Sequence, residues 1–114
     1  MSAKLYLITR ADLTAGQQAA QLVHGMASFA RDYPLTFSDW ERGDNIVVCL
    51  TAKDGDHLRD LWEEANRISG RVEGSLAVSE FVEPDLGGEL TCVVLEPAVE
   101  AFQELCSRLP LVGR

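Results

Sequence analysis

The sequence lacks the short motifs by which many enzymes are recognised. It contains no G-x-G-x-x-G, G-x-x-x-x-G-K-[ST], G-x-S-x-G or H-E-x-x-H pattern. The usual sequence evidence is therefore missing for four classes of protein: dinucleotide enzymes, P-loop nucleotide hydrolases, nucleophile-elbow esterases and zincin proteases. With two histidines, three cysteines and no C-x-x-C spacing, a zinc site would have to recruit distant carboxylates. We predict that the chain needs no metal ion and no cofactor.

Basic residues and long apolar runs are also scarce. Ten Lys and Arg residues stand against 18 Asp and Glu residues, which gives a formal net charge of −8. This balance argues against binding nucleic acid by general charge attraction, although it leaves room for a local basic patch. No run reaches 18 apolar residues, so we expect neither a membrane span nor a signal peptide. A cytoplasmic protein is the default expectation.

The three cysteines do not form a recognisable framework. Cys49, Cys92 and Cys106 lie inside apolar runs, and their number is odd. Cysteines in such surroundings behave as small apolar side chains. We predict buried, unpaired thiols in a reducing compartment.

What is present is a single alternation of strand-like and helix-like segments over residues 1–114. Apolar residues make up 46% of the chain, which is enough for one modest core and one domain. The predicted order is β-α-(α)-β-α-β-β-α, which favours a three-layer α/β/α domain with a four-stranded mixed sheet. We expect the first strands to be parallel and the late pair to be antiparallel. A ferredoxin-like α+β fold is the alternative.

Local patterns support these elements. Thr14 and Gln17 form a capping box, which predicts a helix from there toward Asp32. The run Ile46–Leu50 is apolar at every position, which favours a central strand covered on both faces. The other predicted strands span residues 5–9, 76–82 and 90–95, and the other predicted helices span residues 58–68 and 99–109. Residues 35–40 are predicted to form a short helix or a turn.

Two polar segments lie where open α/β sheets bind their ligands, in loops at the carboxyl ends of strands. The first is Arg10–Leu13, and the second is the loop 83–89, which precedes Thr91. Arg10 could anchor a phosphate or carboxylate, or it could pair with Asp12. These segments are the candidate site.

The first predicted helix adds a polar stripe. Gln17, Gln21 and His24 stand at i, i+4 and i+7, so they project from one side of the helix. Such a stripe is ordinarily a solvated face of the helix. Its composition, an imidazole and two amides without any Lys or Glu, supports the alternative that it is part of a site. His57, beside two aspartates, is interpreted as a surface residue.

Asp85 and Thr91 each allow two interpretations. Asp85 lies in a Pro-Asp-Leu-Gly-Gly turn, where it either forms the turn or orients an imidazole or a water molecule. Thr91 begins an apolar strand, where its hydroxyl is either tolerated or aimed into the site.

The order of these segments resembles the peptidyl-tRNA hydrolases of the archaeal and eukaryotic type. That family has a strand, R-x-D-L, a turn rich in glycine and lysine, and A-A-Q-x-x-H, which Arg10–Leu13 and Ala19–His24 match here. The helix block with its histidine is the most specific part, and the resemblance spans nearly the whole chain. The further matches, in order, are Trp40, Asn45–Leu50, Asp85–Gly87, Thr91–Pro97 and Ser107–Leu111.

The resemblance implies a mixed sheet between helices, a homodimer, and hydrolysis of the ester that joins a peptide, or an N-blocked amino acid, to the 3′ end of tRNA. It implies water activation by a pair formed by His24 and Asp85. Contact with the oxyanion or the substrate would come from Thr91, Gln21 or backbone N–H groups. The remaining residues assigned to substrate binding are Arg10, Asp12, Gln17 and Glu89.

The chain also departs from the family. The family's G-K-G-K is replaced by Gly16-Gln17-Gln18 without either lysine, and the loop before Thr91 is shorter, so Glu83 or Glu89 could replace part of the site. Two alternatives therefore stay open: a non-catalytic module that binds a protein partner, and a hydrolase of small acyl esters that never meets RNA. Arginines clustered at the mouth of the site would favour tRNA, and scattered arginines would favour a small ester.

Overall fold

The computed structural model describes residues 3–114 as a four-stranded sheet with four helices, in the predicted order. The elements are β1 (Lys4–Arg10), α1 (Ala15–Asp32), α2 (Pro34–Arg42), β2 (Ile46–Ala52), α3 (Gly55–Gly70), β3 (Val78–Glu83), β4 (Glu89–Leu95) and α4 (Glu100–Cys106), with a 3₁₀ turn at Pro84–Leu86.

The sheet is mixed and has the strand order β2-β1-β4-β3. β1 runs parallel to β2, as predicted for the first strands. β4 runs antiparallel to both β1 and β3, as predicted for the late pair. It follows that the ends of β1, β2 and β3 and the start of β4 lie at the same end of the sheet. We call this end the upper edge, as distinct from the edge strands β2 and β3.

Buried apolar side chains fill both faces of the sheet. One face supplies Leu5, Leu7, Cys92 and Val94 to a cluster with Phe29 of α1 and Trp40 of α2. The other supplies Ile8, Leu50, Val93 and Leu95 to a cluster with Leu58 of α3 and Phe102 of α4. Helices therefore cover both faces, which confirms the three-layer α/β/α domain and not the ferredoxin-like alternative.

Two local features seat α1. The predicted capping box is present: the Thr14 hydroxyl accepts a hydrogen bond from the Gln17 N–H at 3.2 Å, and the Gln17 side chain accepts one from the Thr14 N–H at 2.9 Å. Further along, Gly25 faces the sheet so closely that a Cβ there would overlap the Cys92 Sγ. The absence of a side chain at Gly25 thus brings α1 close to β4.

The position predicted for β2 is wrong, because β2 is an edge strand. Its first half is open, with Val47 44% exposed at the rim of an apolar groove of about 430 Å³ shared with α1 and α2. Its second half is buried, and its outer edge is covered where Leu111 pairs with Leu50. An apolar run indicates that helices cover both faces of a strand. It does not distinguish a central strand from an edge strand that is partly covered.

Candidate functional site

The two polar segments predicted from the sequence do meet at the upper edge. The segment that starts at Arg10 leaves β1 there, and the loop from Pro84 to Gly88 joins β3 to β4 there. α1 also starts at this edge, so its first turns face the loop. The fold therefore gathers the candidate residues from three distant parts of the chain.

A β-bulge sets the direction of Thr91. Phe81 pairs with Cys92, but the next residue, Val82, pairs with Leu90, so Thr91 is an extra residue in β4. Leu90 belongs to the cluster under α3 and Cys92 to the cluster under α1, and Thr91 also turns toward α1. Bulges re-aim side chains in this way and are frequent beside active sites.

The bulge completes a chain of hydrogen bonds that we call the Gln21 cluster, formed by Thr9, Thr91, Gln21 and Glu83. The Thr9 hydroxyl donates to the Thr91 carbonyl at 2.8 Å, and the Thr91 hydroxyl donates to Gln21 Oε1 at 2.5 Å. Gln21 Nε2 then donates to Glu83 Oε1 at 3.1 Å. Thr9 and Thr91 are fully buried and Gln21 is 3% exposed, so Thr91 holds α1 on the sheet and does not face solvent.

His24 lies one turn beyond Gln21 and is exposed. Its imidazole stacks on the Phe81 ring, with the ring centroids 4.5 Å apart and the planes at 12°. Phe81 and Glu83 are two residues apart on β3 and therefore share a face. The stack presents the free edge of the imidazole to solvent beside the Gln21 cluster.

The structure does not bring His24 and Asp85 into hydrogen-bond contact. Across residues 3–114, neither side chain takes part in a hydrogen bond or an ion pair with another residue. Asp85 is exposed in the 3₁₀ turn, and Gly87 and Gly88 follow it with φ of 69° and 73°. The carboxylate that shares the β3 face with the His24–Phe81 stack belongs to Glu83.

The predicted pairing of Arg10 with Asp12 is present, and Glu89 joins it to form what we call the Arg10 cluster. Arg10 Nε and Nη2 donate to Asp12 at 3.0 and 2.8 Å, and Nη1 donates to Glu89 at 2.8 Å. The guanidinium side chain is 10% exposed and lies 3.3 Å from where a Gly55 Cβ would stand. Its hydrogen bond to Asp12 raises the pKa of Arg10 and lowers the pKa of Asp12. Its donors are therefore directed at protein carboxylates.

The remaining predicted residues have structural partners as well. The Gln17 side chain is used in the capping box of α1. His57 Nδ1 accepts from the Lys53 N–H at 2.9 Å at the start of α3, away from α1. Cys92 and Cys106 are buried as predicted, whereas Cys49 is only partly buried. Burial raises the pKa of Cys49 and raises that of Cys106 to about 12. These thiols are protonated near neutral pH and lack the reactivity of a thiolate.

The arginines are divided between the two ends of the sheet. Arg42 ends α2 just before β2, and Arg71 follows α3 just before β3, so both lie at the end of the sheet opposite to the upper edge. Arg10 is at the upper edge but is held by two carboxylates. Arg59 of α3 lines a small cleft at the same edge together with Arg10 and Glu89.

Residues 3–114 contain no group of three or more His, Cys, Asp or Glu side chains arranged to hold a metal ion. No helix in the same range has both the length and the apolar composition to cross a membrane.

Comparison with known proteins leaves the family open. Neither the models of protein families nor the curated proteins include one that matches this chain. The resemblance to the peptidyl-tRNA hydrolases therefore stays a prediction from the sequence.

Two contributors to the site were missed by sequence reasoning. In the sequence, Phe81, whose ring stacks on the imidazole, is only one apolar residue of a predicted strand. Thr9 is only the polar residue at the end of another predicted strand. Alternation along β3 is a signal that could have found Phe81, since it places Phe81 and Glu83 on one face. No pattern in the sequence predicts the bulge that brings Thr91 to Gln21.

Proposed function

We propose that this protein hydrolyses carboxylic esters of the aminoacyl- and peptidyl-tRNA type at the exposed imidazole of His24. The observation that carries the proposal is the position of this imidazole: it is fixed by Phe81, open to solvent and one helical turn from the buried Gln21 side chain. Ester hydrolysis needs a positioned base that later acts as an acid, and histidine is the side chain best suited to both roles near neutral pH.

In this proposal His24 takes a proton from a water molecule while the water oxygen attacks the ester carbonyl. The tetrahedral intermediate then collapses, the bond to the alcohol oxygen breaks, and the imidazolium returns its proton to that oxygen. Thr91 and Gln21 act as positioning residues, because they hold α1 and Glu83 in place. Asp85, in the exposed turn, would contact the substrate from the loop. A cytoplasmic location and a homodimer stay predictions.

The test is hydrolysis of N-acetylphenylalanyl-tRNA by the wild type, His24→Ala and a control, His57→Ala. We expect His24→Ala to lower turnover about 100- to 10,000-fold, the usual contribution of a general base. His57→Ala should keep wild-type turnover, since His57 lies at α3. Both variants should retain the wild-type circular dichroism. Full turnover by a folded His24→Ala protein would contradict the proposal.

A second candidate, a hydrolase of small acyl esters, is favoured by the paired state of Arg10, whose donors are used by two carboxylates. Binding through phosphates weakens steeply with added salt, whereas turnover of a neutral small ester does not. We would therefore measure the tRNA ester and N-acetylphenylalanine ethyl ester at two salt concentrations. His24-dependent cleavage of the ethyl ester alone would favour the second candidate.

A further inference from the structure

A separate cleft lies at the upper edge on the α3 face of the sheet, opposite to the face that carries α1 and His24. It has a volume of about 190 Å³ and is lined by Arg59 and Trp62 of α3, Glu80 and Val82 of β3, Gly88 of the turn and Leu90 of β4. This volume is several times that of one water molecule, about 30 Å³, and below the range of roughly 300–1,000 Å³ for drug-sized ligands. The cleft therefore suits a molecule with few non-hydrogen atoms.

Trp62 brings an unpartnered hydrogen-bond donor to this cleft. Its indole Nε1 is covered from solvent and has no hydrogen-bond partner in the part of the chain that the structure describes. Nearly all covered N–H groups in folded proteins are paired. An indole N–H can only donate, so the ligand group that suits this wall of the cleft is an acceptor.

Arg59 and Glu80 place opposite charges on the two walls of the cleft. Arg59 lies three residues before Trp62, on the same face of α3, and Glu80 lines the cleft from β3. Both side chains are exposed, and within residues 3–114 neither forms an ion pair, with the other or with a third residue. One charge can therefore meet an anionic group of a ligand and the other a cationic group.

The remaining surface of the cleft is apolar. Leu90 is buried, whereas Val82, on the edge strand β3, is 47% exposed. A ligand with a short apolar side chain would cover Val82, and burial of apolar surface favours binding. The cleft thus combines a cation, an anion, a free donor and an apolar wall within a small volume.

We propose that this cleft binds a free α-amino acid with a short apolar side chain. The carboxylate accepts from the Arg59 guanidinium and the Trp62 N–H, the ammonium donates to the Glu80 carboxylate, and the side chain lies on Val82. A zwitterion matches both charges, whereas a phosphate or a simple carboxylate would leave a negative charge next to Glu80 without compensation. The site is separate from His24 and does not depend on the proposed hydrolysis.

The experiment follows the two indole N–H resonances by proton–nitrogen NMR while L-leucine is added to the wild type up to about 10 mM. Trp40 and Trp62 are the two tryptophans, and Trp40 Nε1 already donates to the Ile46 carbonyl at 3.1 Å. We expect the Trp62 resonance to move with a dissociation constant of about 1 mM, because the ligand is small, while the Trp40 resonance stays in place. Trp62→Phe assigns the two resonances.

Two analogues of leucine separate the charges. Isocaproate lacks the ammonium and isoamylamine lacks the carboxylate, and both keep the side chain. We expect each to bind at least about 10-fold more weakly than leucine, as for one lost charge-assisted hydrogen bond. If isocaproate binds as tightly as leucine, the zwitterion is overturned, because the cleft would then take any small carboxylate.

Arg59→Met and Glu80→Gln test the two walls. Both side chains are exposed, so both variants should keep the wild-type circular dichroism, and each should weaken leucine binding at least about 10-fold. Glu80→Gln should not weaken the binding of isocaproate, which has no ammonium to lose. The matched control is Arg67→Met, which removes a cation of the same helix that is paired with Glu64, and it should leave leucine binding unchanged.

Two results would overturn the proposal directly. One is an equal loss of leucine binding in Arg59→Met and Arg67→Met, because general positive potential along α3 would then explain the affinity. The other is a Trp62 resonance that moves with none of the three compounds. Neither result bears on ester hydrolysis at His24, which is measured separately.

Discussion

The Arg10 cluster and the Gln21 cluster both lie at the upper edge of the sheet, but on opposite faces. In the first, a buried guanidinium meets two carboxylates and uses its donors on them. In the second, a buried amide links two threonines to one carboxylate that keeps a free oxygen, beside an exposed imidazole.

This difference suggests different roles for the two clusters: the Arg10 cluster stabilises the fold, and the Gln21 cluster lies beside the reactive side chain. A cluster whose donors and acceptors are paired contributes to the free energy of unfolding but offers little to a ligand. A cluster with a fixed, partly open carboxylate and a solvent-facing base offers both a binding group and a reacting group. Charge alone would point to Arg10, whereas geometry points to His24 and Glu83.

The largest effect is expected from Gly25→Ala, which acts on one cluster only. The new Cβ would overlap the Cys92 Sγ, so α1 must move away from β4. We expect a loss of about 3 kcal/mol in the free energy of unfolding by urea, at the upper end of overpacking costs, and slower ester turnover. Gly16→Ala, with no atom near its Cβ, is the control and should be neutral or slightly stabilising.

Arg10→Met tests whether the first cluster is structural. Removing the buried guanidinium leaves Asp12 and Glu89 unpaired, and because both are partly exposed we expect a loss of about 2–3 kcal/mol. Arg31→Met, which breaks the exposed pair with Asp32, should leave the melting temperature unchanged. A folded, fully stable Arg10→Met protein without turnover would show instead that Arg10 contacts the substrate.

Thr91→Val tests the second cluster at similar side-chain volume. Without the hydroxyl, Gln21 Oε1 is buried without a donor, which costs about 1–2 kcal/mol. Turnover should fall as well, because Glu83 loses its support. Thr91→Ser keeps the hydroxyl and should retain most of both properties, as measured by urea unfolding and by ester hydrolysis.

The smallest effect concerns pH. The hydrogen bond from Arg10 lowers the pKa of Asp12, so this pair stabilises the fold above the unfolded pKa, about 3.9, and loses its effect as pH falls through the folded pKa. The difference in melting temperature between wild type and Asp12→Asn should therefore be largest near pH 7 and shrink as the pH falls through the lowered pKa of Asp12. A constant difference over this range would show that Asp12 acts through packing alone.

Much of the fold was predictable because local rules agreed with the tertiary structure. The capping box at Thr14 and the apolar periodicity from Leu58 located helices, and alternation of element types indicated three layers. The edge position of β2 was not predictable, since its apolar run reflects coverage of its faces and not its neighbours. Strand order depends on long-range pairing, which no local pattern reports.

The site was predictable as a set of segments but not as contacts. Arg10, Gln21, His24 and the loop 83–89 were expected near one edge, and they are. The pairing of His24 with Asp85 was expected from a resemblance, and the structure instead places Phe81 against the imidazole. That contact depends on the depth at which α1 sits on the sheet, which Gly25 sets together with the bulge at Thr91.

The short tail after α4 has a consequence for how the protein behaves in solution. Leu111 bridges Leu50, and the Pro110 carbonyl accepts from the Thr51 N–H at 2.9 Å, so the tail occupies the hydrogen-bonding edge of β2 over the second half of that strand. Open strand edges template the addition of strands from other molecules, which leads to aggregation. The tail thus blocks edge-to-edge pairing of β2 with strands of other molecules. A chain cleaved after Leu109 would therefore precipitate more readily than its free energy of unfolding alone would suggest.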